Sequence, residues 1–236
     1  MKKLPTYFIK SRILHILING INGNIGQTIQ SQCKQVNINA IDFQAEKINI
    51  NDISAVVDFS SPEGFIASIN FCIENKLPLI SGTTGLTEEH QELVSIAKKS
   101  IPILIASNMS LGIANLKSSI EGHLSSISIS SKCKIIEIHH ANKKDSPSGT
   151  AIEILRFIEN LPGSNIEGSI DVQSHRIGNI SSIHRIMFEN TEGITTFQHI
   201  ANSRNVFAIG ALQAARWILC KEKGEYTFTD FLNKKL

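Results

Sequence analysis

Residues 12–19 (RILHILIN) form a nearly unbroken apolar run, and Gly20-Ile21-Asn22-Gly23-Asn24-Ile25-Gly26 follows at once. A strand with one wet face would alternate apolar and polar residues. A continuous run fits a strand covered on both sides, as in parallel sheets whose crossover helices lie on both faces. The pattern repeats down the chain. Residues 37–43 (NINAIDF), 55–59 (AVVDF), 77–80 and 101–106 read as strands, with helical stretches at 27–35, 65–75 and 87–99 between them. This alternation predicts an α/β fold with a doubly wound, Rossmann-type parallel sheet. Thr87 is a plausible N-cap for its helix, and His90 stands where a capping box would carry Glu or Gln, so that box reads as incomplete.

The pattern changes after Gly112. Residues 113–125 read as a helix, 134–138 as a strand and 150–160 as a helix. Residues 169–201 are strand-like, with 183–188 and 194–199 set as an antiparallel pair around residues 189–193. A long helix over 205–220 carries small residues at Ala208, Gly210, Ala211, Ala214 and Ala215. This change divides the chain into a first, parallel-sheet part and a second part. The second is expected to be α+β with a mixed or antiparallel sheet.

Composition narrows the function classes. The net charge of +2 over 236 residues gives no electrostatic case for nucleic acid or a membrane surface. The four cysteines form no CxxC pair, which fits a reducing compartment and argues against a zinc ribbon. No apolar run approaches the ~18 residues of a membrane span, and His15 interrupts the short apolar segment near the N-terminus. The expectation is a cytoplasmic protein with no membrane or nucleic-acid partner. Residues 1–11 read as a leader of no assigned role.

The glycines after the first strand suit a dinucleotide. They let the backbone approach a pyrophosphate seated on the following helix N-terminus. The spacing is G-x-x-G-x-x-G, and Asp42 stands roughly 20 positions on, at a strand end, where a carboxylate would hold ribose hydroxyls. Ser60-Ser61, Gly82-Thr83-Thr84 and Ala106-Ser107-Asn108-Met109 also follow strands, the edge where such sheets bind ligands. Any one of these loops alone would read as a turn.

A second concentration of chemistry lies at Glu137-Ile138-His139-His140-Ala141-Asn142-Lys143-Lys144-Asp145-Ser146-Pro147-Ser148-Gly149-Thr150. A strand brings two imidazoles to its C-terminal end, a loop carries lysines, and a helix start follows. Adjacent strand residues point to opposite faces, so both histidines serve one site only where the strand ends. Proton transfer and anion binding explain the group better than a metal, and no metal is expected. Thr150-x-x-Glu153 matches a capping box, and Ser146-Pro147 offers an alternative helix start. Lys144, Asp145 and Glu137 read as loop support or solvent-facing residues. Arg176, His184 and Arg204 read either as parts of a carboxylate clamp or as surface charge.

The stretch from Glu137 to Thr150 resembles the E-x-H-H-x-x-K-x-D-x-P-S-G-T signature of the 4-hydroxy-tetrahydrodipicolinate reductase (dihydrodipicolinate reductase) family. Supporting matches include Val57-Asp58-Phe59-Ser60-Ser61-Pro62-Glu63, Gly82-Thr83-Thr84-Gly85, Ala106-Ser107-Asn108-Met109-Ser110-Leu111-Gly112 and Ser203-Arg204-x-x-Phe207-Ala208-x-Gly210-Ala211. The resemblance implies NAD(P)H-dependent reduction in lysine and diaminopimelate biosynthesis, with a dinucleotide-binding domain of residues 1–108 and 205–236, and a substrate-binding and oligomerisation domain of residues 109–204 whose sheet builds a homotetramer. It implies His139 and Lys143 as catalytic acids, and His140, Ser148, Gly149 and Thr150 as substrate contacts. It assigns the cofactor to Gly20, Ile21, Asn22, Gly23, Asn24, Ile25, Asp42, Gly82, Thr83, Thr84, Ala106, Ser107, Asn108 and Met109. Met109 stands where the family often has Phe. No arginine follows Asp42 (Phe43 does), so NADH is the expected cofactor, with Lys47 leaving NADPH open. Two rivals remain: a non-catalytic nucleotide-binding module, and another Rossmann oxidoreductase of the aspartate-semialdehyde type. The latter would need a reactive cysteine, and neither Cys72 in a helix nor Cys133 in a strand suits that role.

Overall fold

The computed structural model describes residues 13–233; the leader 1–11 and Arg12 lie outside the described residues. In chain order it begins β1 (Leu14–Asn19), α1 (Asn24–Cys33), β2 (Ile38–Asp42), β3 (Ala55–Asp58), α2 (Pro62–Asn75), β4 (Leu79–Ser81), α3 (Glu88–Ala97) and β5 (Pro102–Ile105). It continues α4 (Leu111–Ser126), β6 (Lys132–His139), α5 (Gly149–Glu159), β7 (Asp171–Arg176), β8 (Ser182–Asn190) and β9 (Gly193–Ala201). It closes with α6 (Asn205–Ile218), β10 (Gly224–Tyr226) and α7 (Phe228–Leu232). The chain separates into two units. One reaches Ile105 and resumes from Ala211 to Phe231; the other runs from Ala106 to Gly210.

The first unit holds a six-stranded sheet in the order β10-β5-β4-β3-β1-β2, every pair parallel. Consecutive residues Leu17 and Ile18, Val56 and Val57, Leu79 and Ile80, and Ile103 and Leu104 are all fully buried. Neighbours on a strand point to opposite faces, so both faces are covered. This is the doubly wound sheet expected from the apolar runs. β10 was not foreseen, because three residues (GEY) carry no readable period.

Helix starts were set by caps. α2 begins at Pro62 rather than 65, because the Ser61 side chain accepts from the Gly64 N–H and Pro62 needs no partner for its nitrogen. At α3 the expectation of an incomplete box is corrected. The Thr87 N–H donates to Nδ1 of His90 at 3.1 Å, so the imidazole does what a Glu side chain does elsewhere.

The second unit holds a mixed sheet in the order β7-β6-β8-β9. β6 and β7 run parallel; the other pairs are antiparallel. Its core joins Ile113, Leu116, Ile120 and Leu124 of α4 and Ile154 and Ile158 of α5 to Cys133, Ile135, Ile186 and Phe188 of the sheet. The period-two pattern then decides the site. On β6 the buried positions are Cys133, Ile135, Glu137 and His139, and on β8 they are Ser182, His184, Ile186 and Phe188. The apolar stripe therefore turns polar toward one end, where Glu137 pairs with His184 and His139 with Ser182. Among the described residues no helix is long and apolar enough to cross a membrane.

Candidate functional site

The candidate residues form two groups, the first mostly in the first unit and the second wholly in the second. In the first unit the glycine turn is sterically obligate. Gly20 has φ +80°, and a Cβ there would lie 2.3 Å from the Phe59 carbonyl oxygen. A Cβ on Gly26 would lie 2.1 Å from the Gly20 oxygen, so the turn and α1 pack backbone to backbone. Gly82 is needed for the Phe59 ring, 2.2 Å from where its Cβ would be. No side chain caps α1 at Gly23, whereas Ser61, Ser110 and Ser148 cap α2, α4 and α5. Asn22, Gly23 and Asn24 are exposed, while Ile21 belongs to the core. An uncapped helix start behind exposed glycine is what a pyrophosphate requires, so these residues fit a dinucleotide. Asp42 ends β2, with Oδ1 accepting from the Gln44 N–H at 3.0 Å.

Thr83 and Thr84 differ. Thr84 is exposed, but the Thr83 hydroxyl is buried and donates to Asp58 at 2.7 Å. Ser81 donates to the same carboxylate oxygen at 2.7 Å. Asp58 is fully buried and organises the ends of β3 and β4, a role the sequence did not disclose. The last candidates of this group, Ala106 to Met109, fall in the second unit. Met109 is buried there. Asn108 donates to the Thr150 hydroxyl at 2.8 Å and accepts from the Ser110 N–H at 2.7 Å. Ser107 donates to Glu153 at 2.6 Å.

In the second unit, Glu137 is the hub. It is fully buried, which corrects its reading as a solvent-facing residue, although it does support the following loop. Its Oε1 accepts from the Ser148 N–H at 2.8 Å and from Nη2 of Arg176 at 3.1 Å. Its Oε2 lies 3.3 Å from Nε2 of His139 and 3.8 Å from Nε2 of His184. The two imidazoles meet edge to face, with centroids 5.2 Å apart. Burial alone would raise the Glu137 carboxyl, but the polar groups of His139, Ser148 and Ser174 gathered around it outweigh that and hold the group well below the usual carboxylate range. Burial pushes His184 down to about 3, so it stays neutral. The half-buried Arg176 and the buried His184 thus resolve as members of this cluster rather than surface charge.

His140 and Lys143 are half-buried just beyond β6. Desolvation and then the positive charge of Arg204 push His140 downward. Lys143 pairs with Asp145 at 2.7 Å. The α5 cap is Ser148, whose hydroxyl accepts from the Ala151 N–H at 3.2 Å. That corrects both proposed helix starts: Thr150 lies inside the helix, and Glu153 binds Ser107 and Lys117 instead of closing a box. Donor atoms of Glu137, His139 and His184 lie within 4.8 Å of one another, close enough for a cation. The Arg176 guanidinium already neutralises that carboxylate, so the geometry favours a charge-paired hydrogen-bond cluster.

Models of the dihydrodipicolinate reductase family match this chain on both sides, the N-terminus model over residues 32–109 and the C-terminus model over residues 113–232. A 4-hydroxy-tetrahydrodipicolinate reductase of Rickettsia peacockii (strain Rustic) is 35% identical over 238 residues, covering 92% of this chain and 98% of the relative. The chain belongs to the dihydrodipicolinate reductase family. A namesake reductase of Alkaliphilus oremlandii (strain OhILAs) is also 35% identical, over 93% of this chain and 99% of its own. The fold agrees with a solved dipicolinate-bound dihydrodipicolinate reductase from Paenisporosarcina sp. TG-14, at TM-score 0.72 and 18% identity over 92% of this chain and 98% of that one. Membership makes the chain an oxidoreductase that uses a nicotinamide cofactor and a small substrate. A thiol-based aspartate-semialdehyde mechanism finds no nucleophile in either cysteine considered for it. Cys72 and Cys133 are buried, and burial pushes both thiols up, Cys133 to about 12.

Proposed function

We propose that this chain reduces 4-hydroxy-tetrahydrodipicolinate to tetrahydrodipicolinate in lysine and diaminopimelate biosynthesis. A hydride and a proton enter, and the hydroxyl leaves as water. When bound, the reduced nicotinamide supplies the hydride. The chain's own residues hold the two ligands and deliver the proton. The carrying observation is His139, 8% exposed at the end of β6 and joined to a buried carboxylate, with Lys143 on the next loop. His139 is the proton donor to the enamine carbon or nitrogen, with Lys143 as the second acid. His140, Lys143 and the α5 start at Ser148, Gly149 and Thr150 receive the carboxylates. The Ser148 N–H and hydroxyl are engaged by Glu137 and by the cap, so Ser148 acts through the backbone frame it builds. Lys143 must exchange Asp145 for substrate to take part.

The cofactor is assigned to the turn from Gly20 to Ile25, to Asp42, to the loop from Gly82 to Thr84, and to Ala106 through Met109. Among these, Thr83 and Asn108 have side chains engaged by Asp58 and Thr150, which leaves backbone contacts for the nucleotide. NADH is favoured, because a carboxylate at Asp42 repels a ribose 2′-phosphate and Phe43 follows where an arginine would accept it. The exposed Ile194 and Ile200 on edge strand β9 support a homotetramer. Free cysteines and a biosynthetic role support a cytoplasmic location.

The test is the rate of NADH and NADPH oxidation with freshly made product of dihydrodipicolinate synthase. Oxidation that depends on that substrate is expected, and His139→Gln should lower kcat on the order of 10²- to 10⁴-fold while cofactor binding persists. Cofactor binding without turnover would favour the non-catalytic module, and full turnover by the Gln variant would remove His139 from its role.

A further inference from the structure

No step of the proposed reaction uses Glu137 itself, yet it is a fully buried charge beside the proton donor. We propose that Glu137 is the positioning residue of His139: its Oε2 holds Nε2 of the ring, so the proton that reaches substrate leaves through Nδ1. This rests on the reading of His139 as proton donor.

The two oxygens of the carboxylate have different surroundings. Oε1 is fixed by two donors, the Ser148 N–H and the Arg176 guanidinium, at 2.8 and 3.1 Å. Oε2 has no hydrogen-bond partner among the described residues, and neither has the inaccessible Nε2 of His139 facing it 3.3 Å away. Two buried, unpartnered polar atoms at that separation form a contact that tightens when the imidazole carries its proton. His184 is the competing imidazole. It lies farther off, at 3.8 Å, and its Nε2 is nearer the Ser148 hydroxyl, at 3.4 Å. Strand geometry makes the pairing durable, because residues two apart on β6 share a face. Nδ1 of His139 is not among the inaccessible unpartnered atoms.

The surrounding charges suit a group that must release its proton. Arg176 from β7 shares the Glu137 carboxylate, which keeps the carboxylate from binding an imidazolium too tightly. His184 from β8, with His199 behind it on β9, adds no charge while neutral. His140 and Lys143 bear on the imidazoles from the following loop, Asp145 pairs with Lys143, and Arg204 bears on His140.

The test compares Glu137→Gln, Glu137→Asp and His139→Gln in the intact chain, by kcat and KM across pH. Glu137→Gln should lower kcat about 10- to 100-fold, as loss of an outer orienting partner does. The KM for cofactor should hold, and the alkaline limb of the kcat profile should move to lower pH, since the retained proton loses its counter-charge. Glu137→Asp keeps the charge at shorter reach, so the limb should stay while kcat falls. A merely structural carboxylate would lower the yield of folded enzyme and leave the profile of the active fraction unchanged. Wild-type kcat in either variant, or an unmoved limb in Glu137→Gln, overturns the proposal; full turnover by His139→Gln overturns the underlying reading instead. Nitrogen-15 spectra of the wild-type imidazole test the same point without a variant: the neutral ring should carry its hydrogen on Nε2, and a hydrogen on Nδ1 would refute it.

Discussion

At the carboxyl edge of the parallel sheet, the groups offered to a ligand are backbone N–H groups framed by glycine. At the end of the mixed sheet's buried stripe they are ionisable side chains framed by a carboxylate. The first region is specified by what cannot be present. Gly20 and Gly26 exclude a Cβ because main-chain atoms already stand where it would go. Exposed Asn22 and Asn24 carry little of that constraint. The second region is specified by what must be present together. Removing one member of the Glu137–Arg176–His139–His184 cluster leaves the others buried without their partner. A backbone site therefore tolerates change around it and fails at a few positions, whereas a buried charge site fails at every member.

The contrast is most exposed to refutation at Arg176. Arg176→Met would strand a buried carboxylate, a loss of about 3–5 kcal/mol. At roughly 2–4 °C per kcal/mol for a chain of this size, Tm should fall by about 10 °C in thermal denaturation. A fall of only a degree or two would mean that the cluster is not held by charge. Next is Gly20→Ala. The left-handed backbone costs about 1–2 kcal/mol, and the clash with Phe59 adds to it. NADH affinity, read by fluorescence titration, should drop on the order of tenfold. Gly23→Ala, whose Cβ would lie 3.2 Å from the Gly20 oxygen, should do much less. Equal effects would dissolve the distinction between obligate and permissive glycines.

Acid should find the second region. His184 is depressed from 6.5 to about 3, so below pH 6.5 the unfolded chain takes a proton there that the folded chain refuses. Stability then falls as pH drops from 6.5 toward 3. Glu137, held below its ordinary 4.5, adds a further loss as pH falls below that value. Tm measured from pH 8 to 4 should decline along this course, and His184→Asn should flatten its upper part. The smallest effect is expected at Asp42. Asp42→Ser should shift the ratio of NADPH to NADH turnover on the order of tenfold toward NADPH, by removing repulsion from a 2′-phosphate. An unchanged ratio would move cofactor selection away from the end of β2.

Much of the second region could be read from residue order. Period two and branched apolar residues over 134–138 announced a strand, and the structure lengthens it to Lys132–His139. His139 is thereby the last strand residue and His140 the first beyond it, the one arrangement that lets adjacent histidines serve one site. Glu137 was misjudged because its meaning depends on residues far along the chain. Arg176 arrives on β7 and His184 on β8, through pairings of His139 with Arg176 and Glu137 with His184. Thr150 was misjudged for a related reason. Its capping-box spacing is genuine, but Ser148 starts the helix, because the Glu137 carboxylate takes the Ser148 N–H.

By itself, the sequence determined the doubly wound sheet, the glycine turn and the family signature, since these depend on short-range periodicity and on residue types within one loop. Only the tertiary structure decided which carboxylate is buried, which imidazole stays neutral and which hydroxyl is already engaged. Desolvation and charge pairing sum over every neighbour in space, and here those neighbours come from the four strands of one sheet and from the start of α5 at Ser148.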